Sequence, residues 1–153
     1  HPPAEAARAC FSPGLAVIEA AKAAGVDTAR LRLKWPNDVL AGPAKLCGIL
    51  IETGMQHGQL WMAAGFGVNV ATAPDVPGRS TACLANLSGG VALSSAGFLA
   101  ALDVAFRARL ALLSNDGFGS TRADWLAKAA HLGDRVELHC ASSGRRPHER
   151  PRT

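Results

Sequence analysis

The sequence predicts an α+β fold, a mostly antiparallel sheet flanked by helices. Three observations carry this. Helical spacing early in the chain gives way to runs with a two-residue period. Two of those runs are joined by a short glycine-bounded loop, as in a β-hairpin. Two further segments then return to helical spacing. Segregated strands and helices of this kind favour α+β over alternating βα units.

The first element is a helix over Ser12–Ala24, with Leu15, Ile18 and Ala21/Lys22 on one face, Pro13 in its first turn and Gly25 as its stop. A separate short helix can precede it. Leu31–Pro36 alternates Leu31, Leu33 and Trp35 with Arg32 and Lys34, which is strand period and puts Trp35 in the core. Pro36-Asn37-Asp38 ends that strand, and Val39-Leu40 is at most a short extension. Lys45–Thr53 and Leu60–Val70 form the hairpin, with Gly54–Gly58 as its turn. Ala71–Gly90 is rich in turn residues and holds a short helical piece over Thr81–Leu87. Ser94 or Ser95 caps a long helix that ends near Leu113, with Phe98, Leu102, Ala105/Phe106, Leu110 and Leu113 facing the core. A last helix spans about Phe118–Ala130, with Trp125 and Leu126 inward, and Gly133–Leu138 reads as a turn leading into a strand.

The 153 residues suffice for one domain with its own core. Apolar residues make up 48 % and charged residues 18 %, a balance that excludes a disordered chain. No apolar run is long enough to span a bilayer, and His1-Pro2-Pro3 does not begin a secretory signal. The net charge of +4 is concentrated at the end of the chain, where Arg145, Arg146, Arg150 and Arg152 face one Glu149. A basic pI confined to a tail is no nucleic-acid footprint, so no DNA partner is expected. Cys10, Cys47, Cys83 and Cys140 are widely spaced, which suits reduced thiols in a cytoplasmic protein.

Three short motifs stand out in order: Lys34-Trp35-Pro36-Asn37-Asp38, then Lys45-x-x-Gly48-Ile49-Leu50-x-Glu52, then Gly65-x-Gly67-x-Asn69-Val70. Together they resemble the catalytic domain of biotin protein ligases, over about Leu15–Leu138. The resemblance implies ATP-dependent ligation of biotin to a lysine of a biotin carboxyl carrier protein through a biotinyl-5'-AMP intermediate. It implies ATP and biotin as substrates, Mg2+ as cofactor, and the carrier, an acetyl-CoA carboxylase subunit, as partner. A homodimer is a candidate assembly.

The resemblance makes Lys45 the catalytic lysine, touching the biotin carboxylate and the α-phosphate. Physical chemistry asks for such a group, because two anions must meet and charge builds on the phosphoryl oxygens. Gly48, Gly65 and Gly67 are implied to line the biotin pocket, a sheet bulge being an equal reading for Gly67. Lys34, Asn37, Asp38 and Asn69 are implied to meet the nucleotide. Asp38 is also a candidate neighbour for Mg2+, a partner for Lys34 or Lys45, and a candidate base for the second half-reaction. Glu52 reads as structural, and Cys47 as a small core residue.

Family members carry a Gly/Arg-rich loop, G-R-G-R-x-G-R, before the first motif, and this sequence has no Gly-Arg cluster before Lys34. A chain truncated at both ends is therefore expected. Its parts would be a partial catalytic domain at 1–131, the start of a small β-domain at 132–140 and a disordered basic tail at 141–153. Two alternatives stay open: a catalytically incompetent remnant that acts at most as a binding domain, and a lipoate or octanoyl transferase relative.

Overall fold

The computed structural model describes residues 2–135, with side chains from residue 6 onward. Helix α1 (Pro2–Ala9) precedes α2 (Ser12–Ala23), which carries Pro13 in its first turn as the sequence predicts. Four strands follow: β1 (Leu31–Lys34), β2 (Asp38–Ala41), β3 (Ala44–Gln56) and β4 (Gln59–Val68). They form one antiparallel meander in chain order. A 3-10 turn at Leu84–Leu87 leads to α3 (Ser95–Asp116) and α4 (Phe118–Lys128). The Ser94 hydroxyl caps α3 by accepting a hydrogen bond from Gly97 N–H at 3.0 Å.

The core lies between one face of the sheet and the helices. Leu15, Val17, Ile18, Leu31, Leu33, Val39, Ile49, Phe98 and Leu102 belong to one buried cluster. Helix α2 sits deepest and approaches the sheet at Gly14, where a Cβ would lie 2.8 Å from Leu33 Cδ2. Along β4 the exposure alternates strictly, so even-numbered residues from Leu60 to Val68 face the helices and odd-numbered ones face away.

The sequence reading needs correction at three points. Asp38–Ala41 is a full strand, paired on both sides, rather than a short extension. The hairpin turn is only His57-Gly58, both with positive φ, and β3 continues through Gly54. Gly54 is glycine because Trp61 on β4 covers it: an added Cβ would stand 2.6 Å from the indole. Trp35 is not core. It is 58 % exposed and rests against the rings of Phe11 and Trp125, at 5.4 and 6.2 Å between centroids. The bond to Pro36 is cis, and the chain turns out of β1 before Trp35 can continue the strand alternation.

The residues just after α4 close the free edge of β1, where Ala130 N–H donates to Leu33 O at 2.7 Å. Gly133–Arg135 form no strand, and the rest of the expected strand lies outside the described residues. So do residues 136–140 of the predicted small β-domain and the whole of the predicted tail.

Candidate active site

Strand register brings the three motifs into one row. Lys34 pairs with Asp38, Asp38 with Gly48 and Gly48 with Gly67, so one line of residues crosses all four strands. Residues directly opposite in an antiparallel pair share a face. This face is the one turned away from the helices, since Leu31 and Leu33 are buried while Arg32 and Lys34 are exposed. The row continues along the hairpin as Leu50 opposite Gly65 and Glu52 opposite Ala63.

Lys45 would not share this face in a regular strand, because it lies three residues from Gly48. The pairing slips between Val39 and Leu40: Cys47 faces Val39 but Lys45 faces Leu40, leaving Leu46 as an extra residue. Leu46 and Cys47 are both buried, which records the break in alternation. The bulge turns Lys45 back to the face of Asp38 and Gly48. There its Nζ lies 2.5 Å from Asp38 Oδ1, with the two side chains 36 % and 20 % exposed. Of the two partners the sequence allows Asp38, the structure selects Lys45.

Gly48 makes room for this pair. A Cβ there would stand 3.1 Å from Lys45 Nζ and 3.9 Å from Asp38 Oδ1. Gly65 and Gly67 differ, since a Cβ at either would make only ordinary contacts, at 3.8 and 3.5 Å. Nothing in the described chain demands glycine at those two positions, and both leave the face open.

Asn37 and Asn69 act on the backbone. Asn37 donates to Ile49 O at 2.8 Å and its own carbonyl accepts from Ile49 N–H at 2.8 Å, which ties the β1–β2 turn to β3. Asn69 donates to Ala82 O at 3.0 Å and lies 3.5 Å from Lys45 O. Ala82 N–H in turn donates to Lys45 O, and Lys45 N–H to Ser80 O. The N–H and the carbonyl of Lys45 are thus both held by the segment 80–82.

Lys45, Gly48, Gly67 and Asn69 line one cleft of about 200 Å3, together with Pro74, Val76, Arg79 and Thr81. Arg79 is a residue that sequence reasoning missed. It lies in a turn-rich stretch without periodicity, and only pairing of that stretch to Lys45 brings it to the cleft. Lys34, Asn37 and Asp38 instead border a small void of about 10 Å3, lined also by the buried Gly14, Leu33 and Ile49 and by Trp125. A larger cavity of about 590 Å3 opens on the helix side of the sheet, lined by Leu60, Met62, Leu110, Leu113 and Phe118 among others. It holds none of the motif residues.

The Cys47 thiol is pushed up to about 12, chiefly by burial; nearby Lys45 opposes the shift and Asp38 adds to it. It is therefore neutral and no nucleophile. Among the described residues no cluster of three His, Cys, Asp or Glu could hold a metal.

The architecture and the glycine-lined face with its bulge-placed lysine define the fold of a biotin protein ligase catalytic domain. The biotin protein ligase of Aquifex aeolicus in complex with biotin and ATP superimposes with a TM-score of 0.66 at 23 % identity, over 82 % of this chain and 52 % of that one. The Leishmania major ligase in complex with biotinyl-5-AMP gives 0.68 at 19 % identity, over 89 % and 57 %. No family model matches the sequence. Curated relatives do. A biotin--[acetyl-CoA-carboxylase] ligase of Paracoccus denitrificans is 40 % identical over 136 residues, covering 86 % of this chain and 57 % of that protein. The ligase of the same name from Mycobacterium tuberculosis is 35 % identical over 130 residues, covering 84 % and 46 %. The chain spans about half the length of the curated relatives it matches. It is homologous to the biotin protein ligases over that part of their length.

Proposed function

We propose that this chain carries the carboxylate-activating site of a biotin--[acetyl-CoA-carboxylase] ligase. The observation that carries this reading is the Lys45–Asp38 pair set by a bulge beside an open glycine row. In the first half-reaction a biotin carboxylate oxygen bonds to the α-phosphorus of ATP and pyrophosphate leaves, giving biotinyl-5'-AMP. In the second, the amine of a carrier-protein lysine attacks the acyl carbon, AMP leaves and the amine loses a proton.

Lys45 would neutralise charge where the carboxylate meets the α-phosphate. Its ammonium is partly buried and held by Asp38, so little reorganisation is needed when charge develops. Gly48, Gly65 and Gly67 would let biotin lie against the sheet. Lys34 and Asp38, in the same row, would face the nucleotide. Asn37 and Asn69 spend amide protons on backbone carbonyls, which leaves their side-chain oxygens, and one N–H of Asn37, for ribose or phosphate.

Mg2+ fits this donor set only in a limited way. Among the described residues Asp38 is the carboxylate paired with Lys45, and magnesium commonly takes one or two carboxylates plus substrate phosphates. Bound so, it would screen the phosphate charge, with Asp38 as its protein neighbour. The carrier subunit of acetyl-CoA carboxylase is the acceptor in this reading, and the cytoplasm is the compartment that supplies it. No helix among the described residues is long and apolar enough to cross a membrane. A homodimer remains part of the proposal.

The test is biotin-dependent formation of biotinyl-5'-AMP by the purified, folded chain with ATP and Mg2+, read by mass spectrometry. The adenylate should form, and Lys45→Ala should abolish it without loss of fold. A folded chain that makes none would leave at most a binding domain. Near-normal yield in Lys45→Ala would remove Lys45 from the chemistry.

A further inference from the structure

Lys45 enters the cleft already compensated. Its ammonium sits 2.5 Å from Asp38, so the pair adds little net positive charge. A nucleotide that carries several negative charges needs a further cation to enter the same space. Arg79 is the other cation that lines the cleft. Among the described residues it has no carboxylate within ion-pair distance.

Its placement is built rather than incidental. Val76 and Arg79 close a tight turn through Arg79 N–H to Val76 O at 3.0 Å, with Gly78 at a φ of +74°. The Thr81 hydroxyl donates to Pro74 O at 2.7 Å and fixes the two limbs of that turn. Ser80 and Ala82 are bonded to the Lys45 backbone, and Thr81 is its bridge partner. Arg79 and Thr81 both reach the cleft while Ser80 between them bonds to β3 through its carbonyl. The backbone that carries Arg79 is therefore tied, through Ser80 and Thr81, to the same strand that places Lys45.

We propose that Arg79 binds the phosphate chain of the nucleotide, beyond the phosphate that Lys45 meets. This rests on the nucleotide reading of the site. A guanidinium presents paired N–H donors that match phosphate oxygens, which an isolated ammonium does not. Asp38 cannot neutralise Arg79 and Lys45 at once while it holds Lys45 at 2.5 Å. The cleft thus divides its work between a compensated lysine and an uncompensated arginine.

The experiment is titration calorimetry of ATP with Mg2+, and of inorganic pyrophosphate with Mg2+, on the full chain and on Arg79→Ala and Arg79→Lys. Arg79→Ala should weaken both ligands roughly ten- to a hundredfold, the size of a lost charge-assisted hydrogen bond. Arg79→Lys should recover part of the ATP affinity, and adenosine binding should be unchanged in all three proteins. The thermal midpoint should stay within about 2 °C, since the side chain is exposed. If the unaltered chain binds ATP and Arg79→Ala binds it equally well, the role of Arg79 is overturned and the nucleotide reading survives. If adenosine binding falls in parallel, Arg79 supports the turn rather than the phosphates. If the unaltered folded chain binds neither ligand, the nucleotide reading fails and takes this proposal with it.

Discussion

A single missing methyl group organises the site. Gly48 sits under the Lys45–Asp38 pair, and an added Cβ would press against Lys45 Nζ at 3.1 Å. Gly48→Ala should keep the fold, because β3 is extended there and alanine is tolerated in strands. It should displace the ammonium by a few tenths of an ångström and cut adenylate formation at least tenfold. Gly67→Ala, with only a 3.5 Å contact to a backbone oxygen, should fold equally well. Comparing the two rates in adenylate assays checks the ranking. If Gly67→Ala is the more damaging while both bind ATP normally, biotin rather than Lys45 is what glycine serves on this face. Cys47 is a separate matter at the same scale. Its thiol, raised to about 12 chiefly by burial, should resist alkylation at pH 8 until the protein unfolds. The sign of its pH linkage follows from a folded value above the unfolded one. The neutral thiol favours the fold below the unfolded pKa near 9, and that contribution is lost as pH rises from about 9 toward 12. Each unit is worth about 1.4 kcal/mol. Denaturation midpoints of Cys47→Ala should accordingly fall less steeply over that range than those of the unaltered chain.

At the scale of elements, the sequence showed the helices and strands but misplaced their joints. Lys34, Asp38, Gly48 and Gly67 were legible as motif residues. Their alignment in a row was not, because register depends on which residues pair across strands. The bulge at Leu46 was also hidden, since Leu46-Cys47 reads as ordinary apolar sequence. Arg109 was missed for a related reason. It falls on the inner face of α3, seven residues after Leu102, where the pattern calls for an apolar side chain. Its side chain is only 10 % exposed and bridges Glu19 on α2 and Asp124 on α4, the latter at 2.5 Å. Both carboxylates hold the guanidinium charged, Glu19 foremost. The three helices are thus fastened through one charge, and its removal differs from the removal of its partners. Arg109→Met keeps the packing and frees two carboxylates that are half exposed, so it should cost about 1 kcal/mol. Glu19→Ala with Asp124→Ala strands a guanidinium with no carboxylate partner, which should cost about 3 kcal/mol or more. Urea denaturation of the two variants measures the difference, and a reversed order would show that the ion pairs contribute little.

At the scale of the whole molecule the sheet has two unequal faces and two unequal edges. One face is sealed by α2 and α3, and the other carries the motif row. The edge at β1 is closed by Ala129-Ala130, while no strand among the described residues pairs with the outer edge of β4. The family resemblance supplied the fold because its three motifs all lie on this sheet. It could not supply the state of the edges, which depends on what packs against them. An edge strand bonds its neighbour through alternate residues, so half of its backbone N–H groups point outward. Hydrogen exchange should therefore alternate along β4: one set of amides between Gln59 and Val68 slow, the intervening set fast. β2, and Cys47 and Gly48 of β3, which are paired on both sides, should be slow throughout apart from the residues at the bulge. Exchange measured by NMR on the isolated chain decides the point at single-residue resolution. Uniform protection along β4 would mean that its edge is covered in solution. If that protection then fell on dilution, the cover would be a second copy of the chain; if it did not, the cover would lie within the chain itself.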